Sequence, residues 1–187
     1  QLSHGTGATP TFFGPGNGEE YVMITDNADD LISLLVYNAN NGDLICQNEL
    51  FSAGSSGTEN SAIGIGRTIV VASTYGYPYP AVPEGAGPAV PESADFVGGM
   101  VRLDVRQDES GCDVVWQNNL RSAAVPKLHT PDELIYTVER LAPLGGNSTG
   151  ILDSFHFTVV DPHTGAVLQH TYLGATTLDD TLQMAGN

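Results

Sequence analysis

The stretch V159-V-D-P-H-T-G-A-V-L-Q-H-T-Y-L-G174 reads as two short apolar strands joined by an Asp-Pro-His-Thr-Gly turn. Asp161 and Gly165 are the turn-forming residues: Asp caps the turn through its side chain, and Gly tolerates a positive φ. The same plan recurs in L35-V-Y-N-A-N-N-G-D-L-I-C-Q-N-E-L-F51 and in V101-R-L-D-V-R-Q-D-E-S-G-C-D-V-V-W-Q-N-N-L120. Each copy has an apolar strand ending near Asn or Asp, a turn ending in Gly42, Gly111 or Gly165, and a second strand with alternating apolar residues.

Working outward, each hairpin is preceded by a second pair of strands. Residues 9–26, 59–74 and 125–140 align as a short small-residued strand, a polar turn and a strongly apolar strand. A fourth beginning appears at 181–187. With Thr11, Ser61, Lys127 and Gln183 in register, the units are spaced by 50, 66 and 56 residues. Helical periodicity is nearly absent, and β-branched and aromatic residues fill the short segments between Gly, Pro, Asn and Asp. Four strands per unit make the blade of a β-propeller, so an all-β chain of about three blades plus one inner strand is expected. The blades fall at about 8–51, 57–122 and 123–174, with the next one starting at 177–187. The longer second unit holds a Pro/Gly/Ala-rich insertion at 75–96 that cannot form a ladder strand. It reads as a surface loop or, with Tyr75, Tyr77 and Tyr79, as a lid over one face.

These hairpins resemble the outer half of blades in the quinoprotein-like (PQQ-like) β-propeller superfamily. There an apolar strand, Asp, a short turn and Thr-Gly precede a strand that ends near an aromatic residue. Trp116 stands where such blades place a tryptophan. The resemblance covers nearly all of the chain and implies the fold. It also implies incompleteness, because propellers close with four to eight blades, so the remaining blades are expected from the same or another polypeptide. A working quinoprotein dehydrogenase of this type would carry a vicinal Cys-Cys pair and a tryptophan stacked over the quinone. No vicinal cysteines occur and Trp116 belongs to an outer hairpin, so PQQ binding is not expected.

Composition narrows the partners. The 187 residues carry 22 acidic and 6 basic side chains, a formal net charge of −16, and Lys127 is the only lysine. Such a surface repels phosphate backbones and anionic lipid, which disfavours nucleic-acid and membrane binding. No run of 18 apolar residues exists. Low lysine with abundant Gly, Ser, Thr and Asn fits an extracellular (secreted) or periplasmic protein. Cys46 and Cys112 allow one disulfide at matched outer strands of adjacent units, and equally read as two buried thiols. Asn147-Ser148-Thr149 is an N-glycosylation sequon in a Gly-rich loop.

In a propeller the innermost strands line the central channel, so the site residues are sought there. The channel-side set is Thr9, Thr11, Glu59, Asn60, Ser61, Lys127 and Gln183, with His129 directly after. Glu59 and Asn60 suit part of a calcium site of the kind that propeller hydrolases hold between inner strands. Lys127 could pair with Glu59, or offer an amine to an anionic ligand. Asp26, Asp29 and Asp30 form an acidic turn that lacks the rest of a calcium loop. His129, His156, His163 and His170 show no metal-ligand spacing. Asp153, Ser154 and His156 could be drawn as a triad, but Ser154 lacks a G-x-S-x-G elbow. The leading expectation is a binding or scaffold module for a small-molecule or glycan ligand. The alternative is a channel-mouth enzyme, either a metal-dependent lactonase-like hydrolase or a quinoprotein-like oxidoreductase.

Overall fold

The computed structural model describes residues 6–27, 31–78 and 94–184. Twelve strands form three four-stranded antiparallel sheets, each a meander in chain order. The first blade comprises β1 (Thr11–Phe13), β2 (Tyr21–Asp26), β3 (Ile32–Asn38) and β4 (Leu44–Leu50). The second comprises β5 (Ile63–Ile65), β6 (Thr68–Ala72), β7 (Met100–Val105) and β8 (Cys112–Asn118). The third comprises β9 (Lys127–His129), β10 (Leu134–Leu141), β11 (Ser154–Val160) and β12 (Val167–Ala175). The only helical element among the described residues is a single 3-10 turn, Thr177–Asp179, and no helix is long and apolar enough to cross a membrane.

The blades stack face to face because their middle strands are apolar on both sides. In β2, Tyr21, Met23 and Thr25 are buried; alternate residues of a strand face opposite ways, so Val22 and Ile24 lie on the other face. The buried set joins Phe13, Ile32, Leu34 and Val36 against Ile69, Val71, Val101, Leu103 and Val105 of the second blade. Val70, Ala72 and Met100 on that blade's reverse face pack with Ile135 and Val160 of the third. Each such side chain withdrawn from water contributes about 1.5–3 kcal/mol. At the inner end, β1 and β5 approach closely enough that a Cβ on Gly64 would lie 2.6 Å from Cβ of Phe13. A side chain at position 64 would therefore push the first two blades apart.

At the outer end, Cys46 of β4 and Cys112 of β8 are joined by a disulfide with Cα atoms 5.8 Å apart. The hairpin 159–174 serves the second contact. Its turn closes through Gly165 N–H to Asp161 O (2.8 Å), with the Asp161 carboxylate accepting from His163 N and Thr164 Oγ1. Gly165 has φ +71°, and a Cβ there would meet Trp116 Cε3 at 2.6 Å. The indole lies against this bare glycine and donates Nε1–H to Pro162 O at 2.7 Å. Gly42 takes the same place in the first hairpin, with φ +77° and its N–H on Asn38 O. In the second hairpin Gly111 also has a positive φ (+155°), and a second residue, Glu109 (φ +58°), is left-handed where the turn closes through Glu109 N–H to Arg106 O.

Two expectations are corrected. The inner strand of the second blade begins at Ile63, which pairs with Val70 as Thr11 pairs with Met23, so Ser61 lies two residues ahead of the strand. The fourth-blade strand expected from 177 onward is not a strand over the described residues. Leu182 and Gln183 have φ of +55° and +56°, outside the extended region, and Asp180 is fixed to the third blade by Arg140. Most of the 75–96 insertion, with Tyr79, lies outside the described residues, as do Asp29 and Asp30.

The disulfide clamps two outer edges that otherwise share few contacts. Replacing both Cys46 and Cys112 by Ala should lower the free energy of unfolding by about 2–4 kcal/mol, since the closed loop is long. Urea titration with and without reductant is the check, and the double variant should no longer respond to reductant.

Candidate functional site

The channel side is built from the short inner strands and the connectors that lead into them. These connectors are polar because their backbone leaves the sheets and must find other partners. Asn27 and Thr58 exchange hydrogen bonds, Asn27 Nδ2 to Thr58 O (2.7 Å) and Thr58 N to Asn27 Oδ1 (3.0 Å), both residues being buried. Thr9 N donates to Ser61 Oγ, and Thr11 Oγ1 donates to Ala62 O. Asn60 Nδ2 donates to Gln183 Oε1 at 2.9 Å, while Gln183 Nε2 reaches Ser122 O and Gln183 N reaches Ala123 O. Asn60 and Gln183 therefore meet across 123 positions of sequence, both buried.

Other expected partners do not meet. Glu59 is exposed and makes no ion pair with Lys127. Among the described residues no three His, Cys, Asp or Glu side chains are grouped to hold a metal. His129 is exposed and bonded through Nδ1 to Asp132 at 2.9 Å. Asp132 also accepts from Tyr136 Oη, the main reason its carboxyl lies below the usual carboxylate range. Lys127 lines a shallow cleft of about 290 Å³ between the 61–65 stretch and residues 125–128 and Thr130.

The triad drawn from sequence is taken apart by an arginine. Asp153 accepts from Arg140 Nε at 2.7 Å and does not serve His156; Arg140 Nη1 also reaches Asp180 at 2.9 Å. All three side chains are at most 3 % exposed, and Tyr77 Oη bonds Asp180 as well. This knot joins β10, the 142–153 loop, the start of the insertion and the segment after β12. Arg121 holds the same rim, donating to the carbonyls of Phe96, Gly146, Asn147 and Ser148. Asn147, whose carbonyl is used here, is itself exposed.

Sequence reading also missed a half-buried cluster on the face of the third blade that looks toward the second. His156 Nε2 lies 3.0 Å from Ser154 Oγ, its ring stacks on His170 at 4.2 Å, and His170 Nε2 contacts Glu139 at 3.0 Å. Register brings these together: Glu139 sits opposite His156, and His170 pairs with Thr158, two residues along the same face of the ladder. Burial raises the Glu139 carboxyl above its usual range, opposed by His170. Burial, then the neighbouring His170, pushes His156 down. The legible trace was one-sided: Glu139 and Arg140 interrupt an otherwise apolar strand, and a charge at such a position is retained only with a partner.

No family model and no curated protein matches the sequence. Among solved structures, BamB from Moraxella catarrhalis is similar, with a TM-score of 0.51 and 14 % identity over 95 % of this chain. The match covers 41 % of that longer chain, and the likeness shows the fold, a β-propeller.

Two outcomes follow. R140M leaves two buried carboxylates without their cation and should cost about 3–5 kcal/mol, read by denaturant unfolding. The folded-state pKa of His156 is depressed below 6.5, so the unfolded chain takes up this proton first as pH falls. Its contribution to stability is thus present above pH 6.5 and lost below, toward the folded pKa; Glu139, raised in the folded state, acts with the opposite sign in its own range. Melting temperatures scanned downward from pH 7.5 should fall less steeply in H156F than in the parent protein.

Proposed function

We propose that this chain is the three-blade part of an extracytoplasmic β-propeller that works as a binding scaffold. Further four-stranded blades, from the same or another polypeptide, would cover its two open faces. The observation that carries this reading is the apolar character of those faces. On the first blade, Val22, Ile24, Leu35 and Tyr37 are only partly buried on the side away from the second blade, and Phe12 is 59 % exposed. On the third, Tyr136 and Phe157 stack at 5.7 Å on the side away from the second blade. Each open face has the composition of its packed counterpart inside the chain, where the same strand positions are buried by a neighbouring blade. The similar solved structure is longer by more than half its own length, which supports room for additional blades.

The disulfide and the exposed Asn147 sequon support an oxidising, secreted or periplasmic setting. The acidic surface supports protein or small-molecule partners over nucleic acid. The exposed Glu59 and the Asn60–Gln183 bond give the metal-dependent hydrolase reading no assembled centre to start from.

The test is the solution behaviour of the 187-residue chain. It should self-associate with rising concentration in light scattering and bind a dye for apolar surface. V22E with L35E, at partly exposed positions, should suppress both without lowering the melting temperature. A monodisperse chain that binds no dye, or a double variant that unfolds, counts against open blade faces.

A further inference from the structure

Each blade ends in an outer strand that is hydrogen-bonded on one side only. Two of the three carry a carboxylate, Glu49 on β4 and Asp113 on β8, and these two strands are tied together by the disulfide. The third, β12, differs. Its nine residues include no Asp, Glu, Lys or Arg, although the chain has a net charge of −16. Every residue from Val167 to Leu173 is exposed, with Val167, Leu168, Tyr172 and Leu173 each between 46 % and 60 %. Lysine, proline and inward-pointing charge, which commonly protect a sheet edge, are absent from it. Two bulges remain, with Leu168 and Leu173 as the extra residues, and they bound a regular ladder from Gln169 to Tyr172. The open edge therefore offers one short stretch for pairing.

The order of side chains along this stretch specifies a partner. V167-L-Q-H-T-Y-L173 has the same pattern of polarity read in either direction from His170. Antiparallel pairing with a second copy, about a two-fold axis at His170, sets Val167 opposite Leu173, Leu168 opposite Tyr172 and Gln169 opposite Thr171. Apolar meets apolar and polar meets polar throughout, and such opposed pairs are what stabilise a sheet. The same patch then serves both copies, as in most homodimers. Charge favours the same place. Two chains of −16 repel wherever their carboxylates face one another, and an uncharged edge is where they can approach. Of the nearby carboxylates, Glu139 is bonded to His170, and Asp179 lies against Gly174, beyond the paired stretch.

We infer that two copies of this chain associate through their β12 edges, joining two four-stranded third blades into one continuous sheet. This goes beyond the scaffold reading and does not rest on it, because blades stacked on the open faces would leave this outer edge uncovered.

The experiment is sedimentation velocity of the 187-residue chain and of its V22E L35E variant, in which the β12 edge is intact. A dimer is expected in both, with a dissociation constant on the order of 10–100 μM, as suits a small contact. Sodium chloride should tighten it by screening the repulsion between two acidic chains. Failure of the open-face reading would leave both samples at the dimer, whereas failure of edge pairing would leave the variant monomeric. Q169K with T171K sets lysine against lysine twice across the axis and should weaken the dimer about tenfold. Q169K with T171E sets lysine against glutamate twice and should restore it. Both positions are exposed, so the melting temperature should hold in each. Three results would each overturn the assignment: a V22E L35E chain that stays monomeric, an unchanged dimer in Q169K T171K, or no recovery in Q169K T171E.

Discussion

A four-stranded sheet with apolar side chains on both faces cannot remain alone in water. The second blade shows this constraint most plainly: Ile69 and Val71 are buried on one side, Val70 and Ala72 on the other. The strand β6 is therefore a continuous apolar run, whereas β2 and β3 alternate between fully and partly buried residues because one of their faces has no neighbouring sheet among the described residues. The remaining features of the molecule follow from how this stacking is held at its edges. At the outer edges the first contact is closed by a disulfide, and the second by an indole lying on a glycine turn. The two solutions are chemically unrelated, yet each fixes the spacing between blades that share little contact there.

Much of the polar chemistry lies where the stacking ends. The connectors into the inner strands spend their side chains on one another, as Asn27 does with Thr58 and Asn60 with Gln183. The rim of the third blade is closed by Arg140 with two carboxylates, a grouping whose value lies in tying four separate segments together and not in net stability. The His156–His170–Glu139 cluster instead lies on a blade face, where its members bond and stack on one another.

Much of the architecture was legible in the residues. The thrice-repeated hairpin with its capping Asn or Asp located the outer strands, since turn chemistry is local and survives any tertiary context. The register of the second inner strand was misplaced by two residues because "SAIGIG" offers no turn cap or apolar contrast at its start. Arg140 and Asp153 escaped notice as partners because they are adjacent only through the pairing of β10 with β11 and the loop that follows Leu141. His170 reached Glu139 across an intervening strand, a distance set by register and bulges that periodicity does not encode.

By itself, the sequence determined the class of fold, the four-strand unit, the turn residues and the acidic character that disfavours nucleic acid. These depend on local backbone preferences and on composition. Only the tertiary structure decided which polar groups meet, that Asp153 serves Arg140 and not His156, that all five arginines are engaged, and which blade faces have no neighbour among the described residues. Each of these depends on side chains apart in the chain being brought within a few ångströms, which strand register within a blade and stacking between blades do together.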